Sequence, residues 1–227
     1  MPLSPLATQG ESASGRDVLD YFLTALVTLF VTIDPPGLAP VFVVLTAGRS
    51  RSERRATAIR ATVIAGAVLI GFALIGEPLI GFLGITLPAF RIAGGLLLFV
   101  IAFEMVFGTR EERKSVAAQS AVEHDDLRNV AVFPLAIPLI TGPGAISATI
   151  LLASQAHSFG RMAGLMLIIV VLIAACLAVF LLSHQLERIL GETGRIVVSR
   201  LLGLILAALS VQFVADGVTA MVKAAMT

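Results

Sequence analysis

The chain has 227 residues, 57% of them hydrophobic and only 14% charged, and its mean hydropathy is +0.98. No soluble domain of this length needs so much apolar surface, so the composition excludes a water-soluble protein and points to an integral membrane protein. A net charge of +1 gives no basic face for nucleic acid, and the lone Cys176 excludes an intrachain disulfide, a Cys-x-x-Cys pair or a thiolate metal site.

Residues 1–17 are polar and rich in Ser, Pro and Gly. They lack the basic flank and apolar core of a signal peptide, which predicts a disordered tail ahead of a single transmembrane domain over 18–222. Six charge-poor apolar segments follow, at about 21–48, 59–76, 90–107, 130–155, 162–183 and 197–222. Between the second and third, residues 77–91 read as an apolar loop lying in the interface.

Six crossings allow basic residues to be counted by side. The 1–2 loop carries Arg49, Arg51, Arg54, Arg55 and Arg60. The 3–4 loop carries Arg110, Arg113, Lys114 and Arg128, and the 5–6 loop carries Arg188, Arg195 and Arg200. The other side holds Arg16, Arg91, Arg161 and Lys223. Twelve against four places the first set in the cytoplasm and both termini outside. Were segments 1 and 4 re-entrant hairpins, the N-terminus would move inside.

Segments 1 and 4 are interrupted at their centres. Asp34-Pro35-Pro36-Gly37 lies midway along 21–48, and Thr141-Gly142-Pro143-Gly144 midway along 129–156. Proline removes amide donors and disfavours helical torsions, and unwound backbone at membrane depth is tolerated only where it lines a protein cavity. Paired interruptions in two halves are a pointer to a transporter's binding site.

The halves also align: 33–37 on 140–144 and Leu83-Gly84 on Leu190-Gly191 at an offset of 107, then Arg91, Gly94 and Gly108 on Arg200, Gly203 and Gly217 at an offset of 109. Three segments per half is an odd number, so the second half must run opposite to the first. The expected fold is all-α: six transmembrane segments as two inverted three-helix repeats, 18–108 and 129–217, with segments 1 and 4 broken at mid-membrane.

New half-helices are expected from Leu38 and Ala145, with free amides suited to a carboxylate. Spare carbonyls near Thr32–Ile33 and Leu139–Ile140 suit an ammonium or a cation. The candidate substrate-binding residues are Asp34, Pro36, Gly37, Thr141, Gly142, Gly144 and Ser147. Burying Asp34 costs about 2.5–3.5 kcal/mol even on the lenient insertion scale, so it is read as the coupling or ammonium-binding group, with helix capping as the plainer role. Glu104 and Asp216 lie near segment ends and read as snorkelling. Gln212 reads either as ligand contact or as a bond across helices, and Gly94-Gly95 and Gly203 as close-packing positions. Ser147 and Thr149 either line the site or bond back to the preceding turn.

Other chemistries find no support. No His/Cys/Asp cluster has metal spacing, Ser147 has no His–Asp partner at its depth, and there is no phosphate loop. No enzymatic activity and no cofactor are expected beyond a coupling H+ or Na+.

Two long motifs carry a resemblance. Ile33-Asp34-Pro35-Pro36-Gly37, followed by Pro40, and Pro134-Leu135-Ala136-Ile137-Pro138, followed by Thr141-Gly142-Pro143-Gly144-Ala145, resemble the hallmarks of the MarC family, also called the small neutral amino acid transporter family. The resemblance covers about 20–222. It implies a six-helix protein of the bacterial inner membrane and, for some members, transport of glycine, alanine and similar amino acids. The family's motif Asp falls on Asp34 and its Gly-Pro-Gly on Gly142–Gly144. The expected function is therefore a secondary carrier of small neutral solutes, with the bilayer and a small molecule as its partners and an oligomer left open. A non-transporting scaffold or assembly factor and a broader small-molecule exporter are the alternatives.

Overall fold

The computed structural model describes residues 7–123 and 130–226. Its described residues form eight α-helices and no strand: α1 Ala7–Ile33, α2 Pro35–Leu45, α3 Arg51–Phe82, α4 Leu87–Phe107, α5 Thr109–Glu123, α6 Pro143–Ser154, α7 Phe159–Leu181 and α8 Ser183–Ala225, with an irregular segment, Ala131–Ile140, before α6. Five stretches are long and apolar enough to cross a membrane. The 131–140 segment and α6, bent by 58°, make a sixth if the pair counts as one span. The chain is therefore an all-helical, multi-pass membrane protein. Residues 1–6 of the polar tail, and Arg128 among the counted charges, lie outside the described residues.

Local signals explain the boundaries. Ser50 and Glu53 cap each other at the start of α3, Glu53 N donating to Ser50 Oγ at 3.3 Å and Ser50 N to Glu53 Oε2 at 2.9 Å. The end of α3 corrects the expected loop at 77–91. The helix passes through Pro78 to Phe82, and the chain turns away at Gly84, where φ is +72°. There Ile85 N bonds Ile80 O at 3.0 Å and Gly84 N bonds Gly81 O at 3.0 Å, the pairing that a left-handed glycine allows. Thr86 then caps α4, so the connection shrinks to residues 83–86.

The fourth segment also departs from expectation. Its first half is a wide, irregular stretch in which Leu135 N reaches back to Val130 O and Thr141 N to Ala136 O. Phe133 and Ile137 are extended (φ −123° and −126°) because each precedes a proline, Pro134 or Pro138, whose ring disfavours helical torsions in the residue before it.

The α4–α8 pair is the most extensive in the bundle, and its helices run antiparallel. A Cβ on Gly95 would meet Ser210 O at 2.9 Å; one on Gly203, Ala102 O at 3.1 Å; one on Gly217, Pro88 O at 3.0 Å. Hydrogen side chains let these backbones touch, the packing read for Gly95 and Gly203 from sequence. Gly94 instead admits Leu151 of α6. Gln212 donates to Asp216 Oδ1 at 2.8 Å, one turn along its own helix.

The loops counted as cytoplasmic share one end of the bundle: Arg54 donates to Ser183 Oγ at 3.3 Å and Arg195 pairs with Glu111 at 3.4 Å. At the other end, Arg161 stands over the Tyr21 ring at 5.5 Å. The core between them is aliphatic, with Leu29, Ile33, Leu69, Leu98, Leu135, Leu151 and Cys176 fully or almost fully buried.

Candidate functional site

Helix α1 ends at Ile33, and Asp34 turns the chain in the left-handed region (φ 57°, ψ 63°). A side chain rarely accepts this conformation, but a short carboxylate can offset the cost by bonding locally. Asp34 Oδ1 accepts from Gly37 N at 3.1 Å. Pro35 and Pro36 fill the first turn of α2, where a missing N–H costs nothing. This corrects one expectation: α2 begins at Pro35 rather than Leu38, and two prolines and a bonded Gly37 leave its first turn no spare amide for a carboxylate. A Cβ on Gly37 would run into the Asp34 carboxylate, so glycine is required there.

Helix α5 closes this break from the side. Arg110 Nη2 donates to Thr32 O at 2.6 Å, at the carbonyl end of α1. One turn further, Lys114 Nζ donates to Asp34 Oδ2 at 2.8 Å. The i, i+4 spacing puts both cations on one helix face. Arg110 thus takes the negative end of α1 and Lys114 takes the capping carboxylate. Burial pulls the Lys114 ammonium below the usual lysine range, and Asp34 partly offsets it; burial lowers Arg110 as well. The carbonyl near Thr32 that was expected to receive an ammonium is therefore occupied by Arg110.

The second break is built differently. Thr141 N and Oγ1 both bond Ala136 O at 2.9 Å, which commits that hydroxyl to its own backbone. Gly142 is extended (φ −66°, ψ 164°), Pro143 opens α6, and no side chain caps the helix. The first bond to the new helix is Ile146 N to Gly142 O at 3.1 Å. The amides of Gly144 and Ala145 precede it, and they form the positive end of α6.

The second break opens on a cavity of about 320 Å3, which the end of α1 and the cations of α5 reach from the side of the first break. Thr32, Arg110 and Lys114 line it from one side, Gly142 to Ala145 from the other, and Leu97, Val100 and Ile101 of α4 form an apolar wall. Of the residues expected at the site, Gly142 and Gly144 lie in this wall. Asp34 touches the cavity only through Lys114, Pro36 and Gly37 lie in the first turn of α2 outside it, and Thr141 is buried behind it. Ser147 faces Gly94 on α4, and Thr149 bonds back to Ala145 O at 2.7 Å. Arg110, Arg113 and Lys114, read from sequence only as loop charges, are the polar residues that the site adds. The signal that could have found them is the helix-favouring run 109–123 in a connection too long for an ordinary loop.

The family model for "MarC family integral membrane protein" matches residues 19–222. The chain belongs to the MarC family. It is 39% identical over 205 residues to a "UPF0056 membrane protein" of Archaeoglobus fulgidus, which covers 88% of this chain and 92% of that one. To the corresponding protein of Aquifex aeolicus it is 36% identical over 204 residues, 89% of this chain and 94% of that one. To "UPF0056 membrane protein YhcE" of Escherichia coli it is 32% identical over 193 residues, 84% and 88% of the two chains. No solved structure matches. The second motif forms part of the cavity wall through Gly142–Gly144, and the first is tied to it through Asp34, which holds the lysine that lines it.

Proposed function

We propose that this MarC-family protein is a secondary carrier of small neutral solutes, foremost amino acids such as glycine and alanine, working by alternating access in the inner (plasma) membrane. The observation that carries this reading is the cavity between the second break and the face of α5 whose Lys114 is bonded to Asp34 of the first. Its volume of about 320 Å3 sits at the lower end of ligand sites, which run from about 300 to 1,000 Å3. That scale fits a small solute better than the bulky, aromatic-bound cargo of a broad exporter.

The polar groups divide by charge. Arg110 and the amides at the start of α6 suit a carboxylate. Pro138 lines the same wall, and the residue five positions on is Pro143, which has no N–H to donate, so the Pro138 carbonyl is the acceptor assigned to the amine. Coupling to H+ or Na+ is assigned to the Asp34–Lys114 pair: a cation that replaces the lysine at Asp34 frees α5 from the break. Nothing in this cycle makes or breaks a covalent bond.

An inverted repeat supports alternating access. Gly84 and Gly191, equivalent at the offset of 107, both have positive φ (72° and 59°). At the offset of 109, position 94 falls on 203 and positions 101–105 fall on 210–214. The contacts of Gly95 with Ser210 and Val214, and of Gly203 with Ala102 and Met105, nearly exchange under that relation. A two-fold relation of this kind lets one half rock against the other.

The test is uptake of labelled alanine and glycine into proteoliposomes under imposed pH and sodium gradients. Gradient-driven accumulation is expected, and the effective gradient names the coupling ion. No uptake of these or other small solutes by folded protein overturns the reading in favour of a non-transporting scaffold.

A further inference from the structure

We infer that Arg110 and the start of α6 form a carboxylate site that dominates recognition, so that short monocarboxylates lacking an amino group enter the same cavity. The inference rests on the carrier reading for the identity of the site and deepens it to the substrate class.

Arg110 is the anchor. It is 6% exposed, lines the cavity, and spends one nitrogen on Thr32 O. Its other terminal nitrogen, Nη1, is buried with no hydrogen-bond partner. Leaving a buried, charged donor unmatched is costly, and such a donor calls for a water, an ion or a ligand. A guanidinium presents its N–H groups as a planar fork that matches a carboxylate.

The neighbouring carboxylates act on Arg110 through space but give Nη1 no hydrogen bond. Asp34 is engaged by Lys114 at 2.8 Å and by Gly37 N at 3.1 Å. Glu104 is engaged by Arg113 at 2.6 Å. Three cations against two carboxylates leave one positive charge, enough for a single anionic group. Across the cavity α6, 12 residues long, presents the uncapped amides of Gly144 and Ala145.

The amine fares worse. Among the described residues the lining contains no Asp or Glu. An ammonium therefore meets only carbonyl dipoles, whereas the carboxylate meets a full charge and a helix end. Leu97, Ile101 and Leu139 supply an apolar wall for a short alkyl group.

The experiment titrates the full-length protein in nanodiscs with alanine, propionate, lactate and alaninamide, following binding by calorimetry and thermal stabilisation. Propionate and lactate should bind in competition with alanine, and alaninamide at least about tenfold more weakly, the scale of one lost charge-assisted hydrogen bond. Arg110→Gln should weaken alanine and propionate alike. Should that variant not fold, having lost the bond to Thr32 as well, the wild-type ligand series decides alone. Alaninamide binding as tightly as alanine, or failure of propionate to compete, overturns the inference. Parallel uptake separates the two claims: propionate binding without transport of alanine, glycine, propionate or another small solute sinks the carrier and keeps the site, while alanine transport that propionate does not inhibit sinks the site and keeps the carrier.

Discussion

Lys114 Nζ lies 2.8 Å from Asp34 Oδ2, and each side chain is only 6% exposed. The pair joins residues 80 positions apart and fixes α5 against the α1–α2 break. Removing one member strands a charge in the interior, which typically costs about 3–5 kcal/mol, whereas replacing both by neutral groups costs much less. We expect Asp34→Asn and Lys114→Met each to lower the unfolding midpoint strongly in detergent. The double variant should lose less than the sum, with a coupling of about 0.5–3 kcal/mol. Additive losses would mean that the contact contributes little. Asp34→Asn is consequently no clean test of a coupling role for Asp34, because lost activity in that variant would mix coupling with folding.

What the sequence conveys about this site follows from where its information lies. Prolines and glycines act on their own neighbours, so the breaks at Asp34 and at Thr141–Gly142 are visible as local chemistry. The small residues of α4 and α8 are legible for the same reason. The arrival of α5 is not. A charged run such as Thr109-Arg110-Glu111-Glu112-Arg113-Lys114 reads as a solvated loop, and only a carboxylate 80 residues away makes the burial of Lys114 tolerable. The irregular 131–140 segment shows the same limit on a smaller scale. Pro134 and Pro138 are visible one by one, but the two together unwind the whole first half of the fourth segment.

The α4–α8 seam makes its own prediction. At Gly95 a methyl group would meet Ser210 O at 2.9 Å and Val214 N at 3.1 Å, both backbone atoms that cannot step aside. Gly95→Ala should therefore cost about 1–3 kcal/mol, the range for overpacking. Gly71, within α3, has nothing within 4 Å of its would-be Cβ, so Gly71→Ala should be neutral or stabilising. Equal effects of the two substitutions on thermal unfolding would contradict the close approach of the helices.

The direction of insertion can be read by labelling. The native Cys176 is fully buried and gives little background. Arg55, on the exposed face of α3, lies at the end assigned to the cytoplasm by the distribution of basic residues, while Phe159, 91% exposed, opens α7 at the other end. In intact cells a membrane-impermeant maleimide should label Phe159→Cys at once and Arg55→Cys only after the membrane is opened. The reverse pattern would invert the protein, and labelling of both from one side would make the fourth segment re-entrant.

Within the cavity wall, a Cβ on Gly144 would collide with Ile101 Cδ1. The obstacle is the end of a flexible side chain rather than backbone, so it can be removed by substitution. Gly144→Ala alone should destabilise by about 1–3 kcal/mol as Ile101 is forced into a poorer rotamer or out of the wall. Ile101→Val deletes the colliding carbon and by itself should cost about 0.5–1.5 kcal/mol. Combined, the two should recover most of the stability lost in Gly144→Ala, because the added methyl occupies the space that the deleted one vacates. Both residues line the cavity, so the repacked variant also reports on the site. If uptake returns with stability, the wall serves by its shape. If stability returns without uptake, the methyl at position 144 blocks the approach of the carboxylate to the amides of α6.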